Sequence, residues 1–245
     1  MPDQEFTFGS RPPLATVEQL AKMIDHSLLR PELDDARIHE GLQLALAYDV
    51  ASVCVRPSDV DTAATVLQGS AVAVGSVCGF PHGDQTTGVK LYEARDLLRR
   101  GAREVDAVLN IGKLISRQFQ YVEMELLQLA KACHEAGALL KVIFENAYLT
   151  DELKVVACKI SKRAEVDYVK TSSGFAPSGY TKDDLLLMKR AVKDRCKLKA
   201  AGGVRTIETA LEVYQCGCDR FGATQTAKIL DDWKVQLAAQ AAVIT

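Results

Sequence analysis

The sequence predicts an α/β fold, and three observations lead to this prediction. Short apolar segments alternate along the chain with stretches of helical periodicity, an order typical of a parallel sheet covered by helices. Eight such strand–helix units are present, and eight units close naturally into a barrel. The chain has 245 residues, 48% of them hydrophobic, which suits one large domain. The predicted architecture is therefore a TIM (β/α)8 barrel with an extra N-terminal helix.

The predicted strands are short runs rich in apolar residues, and most are bounded by a charged residue or a glycine turn. In chain order they cover residues 23–25, 51–55, 72–77, 103–109, 139–144, 168–171, 197–200 and 219–222. Because helical segments separate them, we expect all eight strands to run in the same direction.

Helix starts are predicted from residues whose side-chain oxygen can cap an N-terminus. Thr16 with Gln19 precedes the first helix, Thr150 precedes a later one, and Thr181 with Asp184 predicts a capping box. Apolar residues also recur at helical spacing. The stripes are Val122, Leu126, Leu129 and Cys133; Leu153, Val156 and Ile160; Leu185, Met188 and Val192; and Ile207, Ala210, Leu211 and Tyr214.

The predicted domain organisation is a single barrel over residues 16–245, preceded by a flexible leader over residues 1–15. The leader contains Gly9 and the pair Pro12 and Pro13, and it has no apolar stretch of the kind found in a signal sequence. No linker or low-complexity segment divides the remainder of the chain.

Composition excludes several classes of partner. The formal net charge is −2 and the pI is about 6.1, without a cluster of Lys and Arg, so we expect no nucleic-acid partner. No run of about 18 apolar residues occurs, so we expect no membrane span. The seven cysteines are odd in number and lie mostly in apolar segments, which favours a reducing compartment. We therefore expect a cytoplasmic protein.

Chemically reactive side chains gather at the C-terminal ends of the predicted strands, where barrel enzymes carry their sites. In chain order they are Asp25 and His26, Cys54, Cys78, Asp106 and Asn110, Glu145, Lys170 and Lys199. A polar group in an apolar strand is costly to bury without a partner. We therefore expect several of these side chains to meet at the mouth of the barrel.

Two lysines are the most informative of these residues, because each follows an apolar strand and precedes a turn that contains glycine. Lys170 precedes Thr-Ser-Ser-Gly, and Lys199 precedes Ala-Ala-Gly-Gly. An ordinary lysine titrates near pH ~10.4, so only about one in 10³ is neutral at pH 7. A neighbouring positive charge lowers the pKa of a lysine and favours its nucleophilic form. The pair therefore predicts imine chemistry.

Each of these residues also has a simpler interpretation. Strand-end lysines often extend to solvent, and Asp106 fits a buried acceptor that connects loops. Cys54 and Cys78 fit small core residues better than nucleophiles. The four histidines lack the spacing of metal ligands, so no metal site is predicted.

Seven short motifs occur in order over nearly the whole chain. They are residues 24–29 (IDHSLL), 53–55 (VCV), 79–83 (GFPHG), 104–106 (EVD), 141–145 (KVIFE), 169–175 (VKTSSGF) and 199–205 (KAAGGVR). In sequence and order they resemble the motifs of the deoxyribose-phosphate aldolase family. The resemblance implies a class I aldolase on a TIM barrel that needs neither metal nor cofactor. The implied reaction cleaves 2-deoxy-D-ribose 5-phosphate to D-glyceraldehyde 3-phosphate and acetaldehyde, and relatives commonly form homodimers.

The resemblance also implies roles for five residues of this chain. Lys170 is expected to form the Schiff base, while Lys199 and Asp106 are expected to transfer protons. Asp25 and Cys54 are expected to line the site, the aspartate supporting the lysines and the cysteine lying near the substrate. Chemistry agrees, because a protonated imine accepts the electrons of the breaking carbon–carbon bond better than a carbonyl does.

A phosphate site is expected where glycine turns present backbone N–H groups beside the last strands. The candidates are Ser173, Gly174, Gly202, Gly203 and Thr224. Most of the family has two serines after the eighth strand, whereas this chain has Thr224 and the bulkier Gln225. Arg205 is a nearby cation that fits either the phosphate or a helix carboxylate.

Two further interpretations stay open at this stage. The altered turn at Thr224 and Gln225 permits a lysine-dependent barrel lyase for a different aldehyde. A non-catalytic protein that keeps the barrel as a binding module or scaffold is also compatible with the fold. The presence of Lys170, Lys199 and Asp106 together argues against the scaffold, because nothing structural requires two lysines side by side.

Overall fold

The computed structural model describes residues 11–244, and eight parallel strands form a closed barrel in chain order. Each strand pairs with its neighbours in sequence, and β1 pairs with β8 to close the barrel. This confirms the predicted TIM barrel. The strands are β1 Ile24–Leu28, β2 Ser52–Val55, β3 Ala73–Cys78, β4 Glu104–Val108, β5 Leu139–Ile143, β6 Tyr168–Lys170, β7 Lys197–Ala200 and β8 Arg220–Ala223.

Helices surround the barrel, and α1 is the extra N-terminal helix that the sequence predicts. The helices are α1 Val17–Ala21, α2 Asp35–Ala47, α3 Val60–Val66, α4 Thr87–Arg99, α5 Ile111–Ile115, α6 Phe119–Glu135, α7 Asp151–Arg163, α8 Lys182–Val192, α9 Ile207–Gln215 and α10 Thr226–Ile244. In the part of the chain that the structure describes, no helix is both long and apolar enough to cross a membrane.

The predicted helix starts are confirmed, but the capping box predicted at Thr181 and Asp184 lacks its reciprocal hydrogen bond. Thr16, Thr150 and Thr181 each accept a hydrogen bond from a backbone N–H three residues later. The carboxylate of Asp184 does not return the bond to Thr181, because it instead pairs with Lys154 on α7 at 2.6 Å. The reciprocal capping box lies at α9, between residues 206 and 209, where the sequence analysis did not predict it.

The end of the predicted leader is attached to the barrel. Residues 1–10 lie outside the described residues, but Arg11 donates to the carbonyl oxygen of Cys218 at 2.6 Å and pairs with Asp219. Leu14 is buried against the core. Residues 11–14 therefore contact the barrel, whereas the prediction assigned them to a flexible leader.

The side chains of each strand alternate between two environments, and this alternation creates the site. On β4, Val105 and Ala107 pack outward into the main apolar core, while Glu104 and Asp106 point into the barrel and pair with charges from other strands. Both sets are buried. The barrel therefore has an apolar shell between strands and helices and an interior that contains ion pairs.

The first strand is longer than predicted, so Asp25 lies within the strand and not at its C-terminal end. The prediction ended this strand at Asp25, whereas β1 continues through Leu28. The run of Asp25, His26 and Ser27 is polar, but its side chains find partners and so remain compatible with a strand. His26 shares a hydrogen bond of 2.8 Å with Thr226, and Asp25 pairs with Lys141 inside the barrel. Asp25 therefore lies below the mouth.

Candidate active site

A cavity of about 120 Å³ opens at the C-terminal ends of the strands. Lys170, Lys199 and Cys54 form part of its lining, and the loops after the last three strands form its rim. All five candidates for phosphate binding also line it: Ser173, Gly174, Gly202, Gly203 and Thr224. The cavity therefore brings together residues that are far apart in sequence.

The two predicted lysines lie side by side, because β6 and β7 pair with Lys170 directly opposite Lys199. Both amines donate to the same oxygen, Oδ2 of Asp106, at 2.6 Å from Lys170 and 2.7 Å from Lys199. All three side chains are almost completely buried. One carboxylate oxygen thus joins the two amines.

The protein environment separates the pKa values of these two lysines. Burial lowers the pKa of Lys170; Asp106 opposes this effect, and the positive charge of Lys199 adds to it, so the pKa is lowered overall. Burial also acts to lower the pKa of Lys199, but the carboxylates of Asp106 and Asp25 outweigh burial and raise it. The sequence analysis attributed the neutral amine to the neighbouring cation alone, whereas burial is the larger cause.

A second layer of charges lies beneath the lysines, and Asp25 is its one member to which the sequence analysis assigned a role. Lys141 contacts the carboxylates of Asp25 and Glu104, and Arg220 contacts the same two carboxylates from the other side. Charged residues at alternate positions within apolar strands are the signal that identifies such a layer.

The charges inside the barrel balance when one lysine is neutral. The cluster contains three carboxylates, Asp25, Glu104 and Asp106, and four basic side chains, Lys141, Lys170, Lys199 and Arg220. With all seven ionised, it carries one excess positive charge in a buried environment, which is unfavourable. The pKa is raised for Lys141, Lys199 and Arg220 and lowered for Lys170, so Lys170 is the group of the four that loses a proton most readily.

Asp106 has one oxygen that is not occupied by the two lysines. Oδ1 accepts no hydrogen bond from the described part of the chain, although Nζ of Lys141 lies 3.4 Å away. Burial acts to raise the pKa of Asp106, but Lys141, Lys170 and Lys199 outweigh burial and hold the pKa well below its ordinary value. The group is therefore a carboxylate at rest, with one buried oxygen whose acceptor capacity is unused by the described residues.

Asp25 and Cys54 both lie at the site, at different depths. Asp25 contacts Lys199 and Lys141, which connects the lysine pair to the lower charge layer. Cys54 is buried and lines the cavity, and burial, with a smaller effect of Asp106, raises the pKa of its thiol to about 11. The thiol is therefore protonated at neutral pH and is a poor nucleophile.

The hydrogen-bond donors of Ser173, one of the predicted phosphate-binding residues, are occupied by Glu145. The backbone N–H of Ser173 donates to both carboxylate oxygens of Glu145 at 3.2 Å, and its hydroxyl also donates to Glu145. The Ser173 hydroxyl oxygen in turn accepts from the N–H of Phe175. Ser173 thus orders the loop after β6 and has no hydrogen left to donate to an anion.

The glycine turns do present free donors at the rim of the cavity. In residues 11–244, the N–H groups of Gly174, Gly202 and Gly203 donate to no protein acceptor. Gly202 and Gly203 have φ angles of 77° and 123°, which other residues rarely adopt, so the turn requires glycine. The side chain of Thr224 is exposed beside them.

The fold and the site define the class of the protein. A closed parallel barrel has at its mouth an amine whose pKa is lowered, beside a second amine whose pKa is raised and a carboxylate, which suits it to breaking a carbon–carbon bond next to a carbonyl. This is the design of an aldolase, which is a lyase. The chain belongs to the DeoC/LacD family of aldolases, whose family model matches residues 19–224. This confirms the resemblance of the sequence motifs.

Individual relatives agree with this assignment. The chain is similar to a deoxyribose-phosphate aldolase from Rhodopirellula baltica, with 44% identity over 92% of this chain and 94% of that protein. A deoxyribose-phosphate aldolase from Clostridium perfringens is 45% identical over 87% of this chain and 95% of its own length. The tetrameric deoxyribose phosphate aldolase from Aeropyrum pernix has a TM-score of 0.84 and 29% identity, and the match covers 90% of this chain and 93% of that one.

Proposed function

We propose that this aldolase reversibly cleaves 2-deoxy-D-ribose 5-phosphate to D-glyceraldehyde 3-phosphate and acetaldehyde through an imine on Lys170. The relatives named above support the substrate. One observation supports the mechanism most strongly: within the buried cluster of seven charged groups, Lys170 is the basic residue whose pKa is lowered, and it lines the cavity.

The neutral amine of Lys170 attacks the C1 aldehyde and forms a carbinolamine. Lys199 is charged and next to it, so Lys199 donates a proton to the departing hydroxyl, which leaves as water. The product is a protonated imine between C1 and Lys170, and Lys199 is now neutral. The two opposite pKa shifts thus give one lysine the role of nucleophile and the other the role of acid.

Bond cleavage then requires a base for the C3 hydroxyl. Oδ1 of Asp106 accepts this proton through a water, and the low pKa of Asp106 means that the carboxylate passes the proton on to the neutral Lys199. The electrons of the C2–C3 bond move into the imine and form an enamine, and D-glyceraldehyde 3-phosphate leaves. Lys199 protonates C2, and water hydrolyses the resulting protonated imine. The proton released by hydrolysis returns to Lys199, and acetaldehyde leaves with Lys170 neutral again.

Two measurements test this proposal together. Incubation with deoxyribose 5-phosphate or acetaldehyde, followed by borohydride, is expected to leave a stable adduct on Lys170 that peptide mass spectrometry locates. Steady-state kinetics are expected to show a higher kcat/KM for deoxyribose 5-phosphate than for deoxyribose. The absence of any adduct contradicts the imine, and equal kcat/KM values contradict the phosphorylated substrate.

Lys199→Leu is expected to shift imine formation to higher pH. Removing a positive neighbour raises the pKa of Lys170, so this amine stays protonated up to a higher pH. The rate of borohydride trapping with acetaldehyde is expected to fall about tenfold at pH 7 and to recover as pH rises. The measurement is the trapping rate as a function of pH.

The matched control for this prediction is Lys197→Leu, which removes a lysine from the same strand. Lys197 is exposed at the start of β7, at the end of the barrel away from the cavity. Its trapping profile is expected to follow that of the unmodified protein. A Lys199→Leu profile with an unchanged midpoint contradicts the role of Lys199 in lowering the pKa of Lys170.

We also propose that the protein is a cytoplasmic homodimer. The resemblance to the family supports a dimer, and all seven cysteines are free thiols, which suits a reducing compartment. The Aeropyrum pernix relative is a tetramer, so light scattering in solution distinguishes the two assemblies.

A further inference from the structure

We propose that Arg30, in the turn after β1, sets the preference of this enzyme for phosphorylated over unphosphorylated aldehydes. This inference rests on the proposed function, and it concerns a residue without any role in the chemistry described above. Arg30 is exposed and lines the same cavity as Lys170 and Lys199.

The need for a cation at the rim follows from the other side chains there. Both donors of Ser173 are taken by Glu145, and Lys170 and Lys199 donate to Asp106 below the rim. Backbone N–H groups and the hydroxyl of Thr224 remain, but they carry no net charge. A phosphate dianion in this cavity is therefore best neutralised by a guanidinium, which presents paired donors with full charge.

Arg30 has that charge available. In the described range 11–244 its guanidinium forms no ion pair with a carboxylate, and it lies 5.2 Å from the ring centre of Phe175. Phe175 follows the glycine of the loop after β6, and Arg30, Gly174 and Phe175 all line the cavity. The cation and the backbone donors thus face the same space.

The position of Arg30 is supported from both sides. The ring of Phe175 meets Phe80 edge to face at 5.3 Å, and Phe80 packs against a small apolar cluster of Leu29, Cys54 and Val77. The side chain of Arg56 donates to backbone carbonyl oxygens of the turn, including those of Pro31 and Leu33. A cation that is held in place loses less entropy when it binds an anion.

Arg205 is the other arginine at this cavity, and the structure favours Arg30 over it. Arg205 is exposed, but no aromatic ring or hydrogen bond holds its guanidinium within the described residues. Its recorded contact is a backbone N–H that donates to Thr209. Arg30 is therefore the better positioned of the two cations.

Arg30→Gln tests the inference with two substrates. For deoxyribose 5-phosphate, KM is expected to rise about ten- to hundredfold, while kcat changes by no more than about twofold. For deoxyribose, KM and kcat are expected to stay at their original values. Arg30→Lys keeps the charge but loses the planar stacking group. Its KM for deoxyribose 5-phosphate is expected to lie between those of the unmodified enzyme and Arg30→Gln.

The matched control is Arg195→Gln, which removes the same charge from the opposite end of the barrel. Arg195 is exposed in the turn before β7. It is expected to leave both substrates unaffected, which excludes a general effect of net charge on KM.

The other outcomes are distinguishable. If the unmodified enzyme shows no preference for the phosphorylated substrate, both the proposed specificity and the role of Arg30 are wrong. If the unmodified enzyme shows the preference and Arg30→Gln keeps it, the role of Arg30 alone is wrong. Equal losses with both substrates indicate that Arg30 only supports the loop, which also overturns the inference.

Discussion

Lys170→Ala is expected to lower kcat for deoxyribose 5-phosphate cleavage by about 10⁴-fold or more, because the imine then has no nitrogen to form on. Lys199 cannot replace it, since two carboxylates hold Lys199 in its charged form. The measurements are the rate of aldehyde release and the borohydride adduct, which is expected to disappear.

The Lys170→Ala variant is expected to stay folded. Seven charged groups share the barrel interior, and removing Lys170, the basic group whose pKa is lowered, leaves three carboxylates and three cations. Asp106 keeps its hydrogen bond with Lys199 at 2.7 Å. Circular dichroism and thermal unfolding check the fold, and Lys131→Ala on the outer face of α6 is the control. Full activity in the folded variant contradicts the assignment of the nucleophile.

Asp106→Asn is expected to separate imine formation from bond cleavage. The substitution removes a negative charge beside Lys170, which favours the neutral amine, so borohydride trapping with acetaldehyde is expected to survive at pH 7. Cleavage of deoxyribose 5-phosphate is expected to fall about 10²–10⁴-fold, because the base for the C3 hydroxyl is lost. Trapping and cleavage are measured on the same preparation.

This substitution also has a cost in stability. It leaves the buried lysines without one of their carboxylates, and breaking a buried ion pair typically costs about 3–5 kcal/mol. Because a domain is stable by only about 5–15 kcal/mol, chemical denaturation has to accompany the kinetics.

Asp25→Asn is the matched control for the loss of a buried carboxylate. Asp25 contacts Lys141 and Lys199, as Asp106 does, but among the described contacts Asp106 is the carboxylate that pairs with Lys170. Both variants are expected to lose similar stability, and Asp106→Asn is expected to lose much more of its cleavage rate. Equal losses of cleavage in the two variants refute the role of Asp106 as the base.

The order of the strands was predictable because its signals are local. Apolar runs bounded by charged residues or glycine turns locate all eight strands, and threonine caps locate the starts of α1, α7 and α8. The longer β1 was missed because Asp25 and His26 interrupt the apolar pattern. Their partners, Lys141 and Thr226, lie 116 and 200 positions away, so no local window reveals them.

The lower charge layer was missed for a related reason. Lys141 lies in one of the recognised motifs and Glu104 lies in another, so neither motif contains both members of this ion pair. Their contact exists because β4 and β5 are neighbours in the barrel and direct both side chains inward. The hydrogen bond between Ser173 and Glu145 has the same origin. Glu145 follows β5 and Ser173 follows β6, and these two strands are neighbours in the barrel.

The sequence by itself determined the barrel, the family and the pair of lysines at the mouth. The tertiary structure decided which lysine loses its proton more readily, because Lys170 and Lys199 stand in nearly equivalent local contexts at the ends of adjacent strands. Burial lowers the pKa of both amines, but Lys199 pairs with two carboxylates, Asp25 and Asp106, whereas Lys170 pairs with Asp106. Electrostatic energy inside a protein depends on distances between charges in space, and chain folding alone sets those distances.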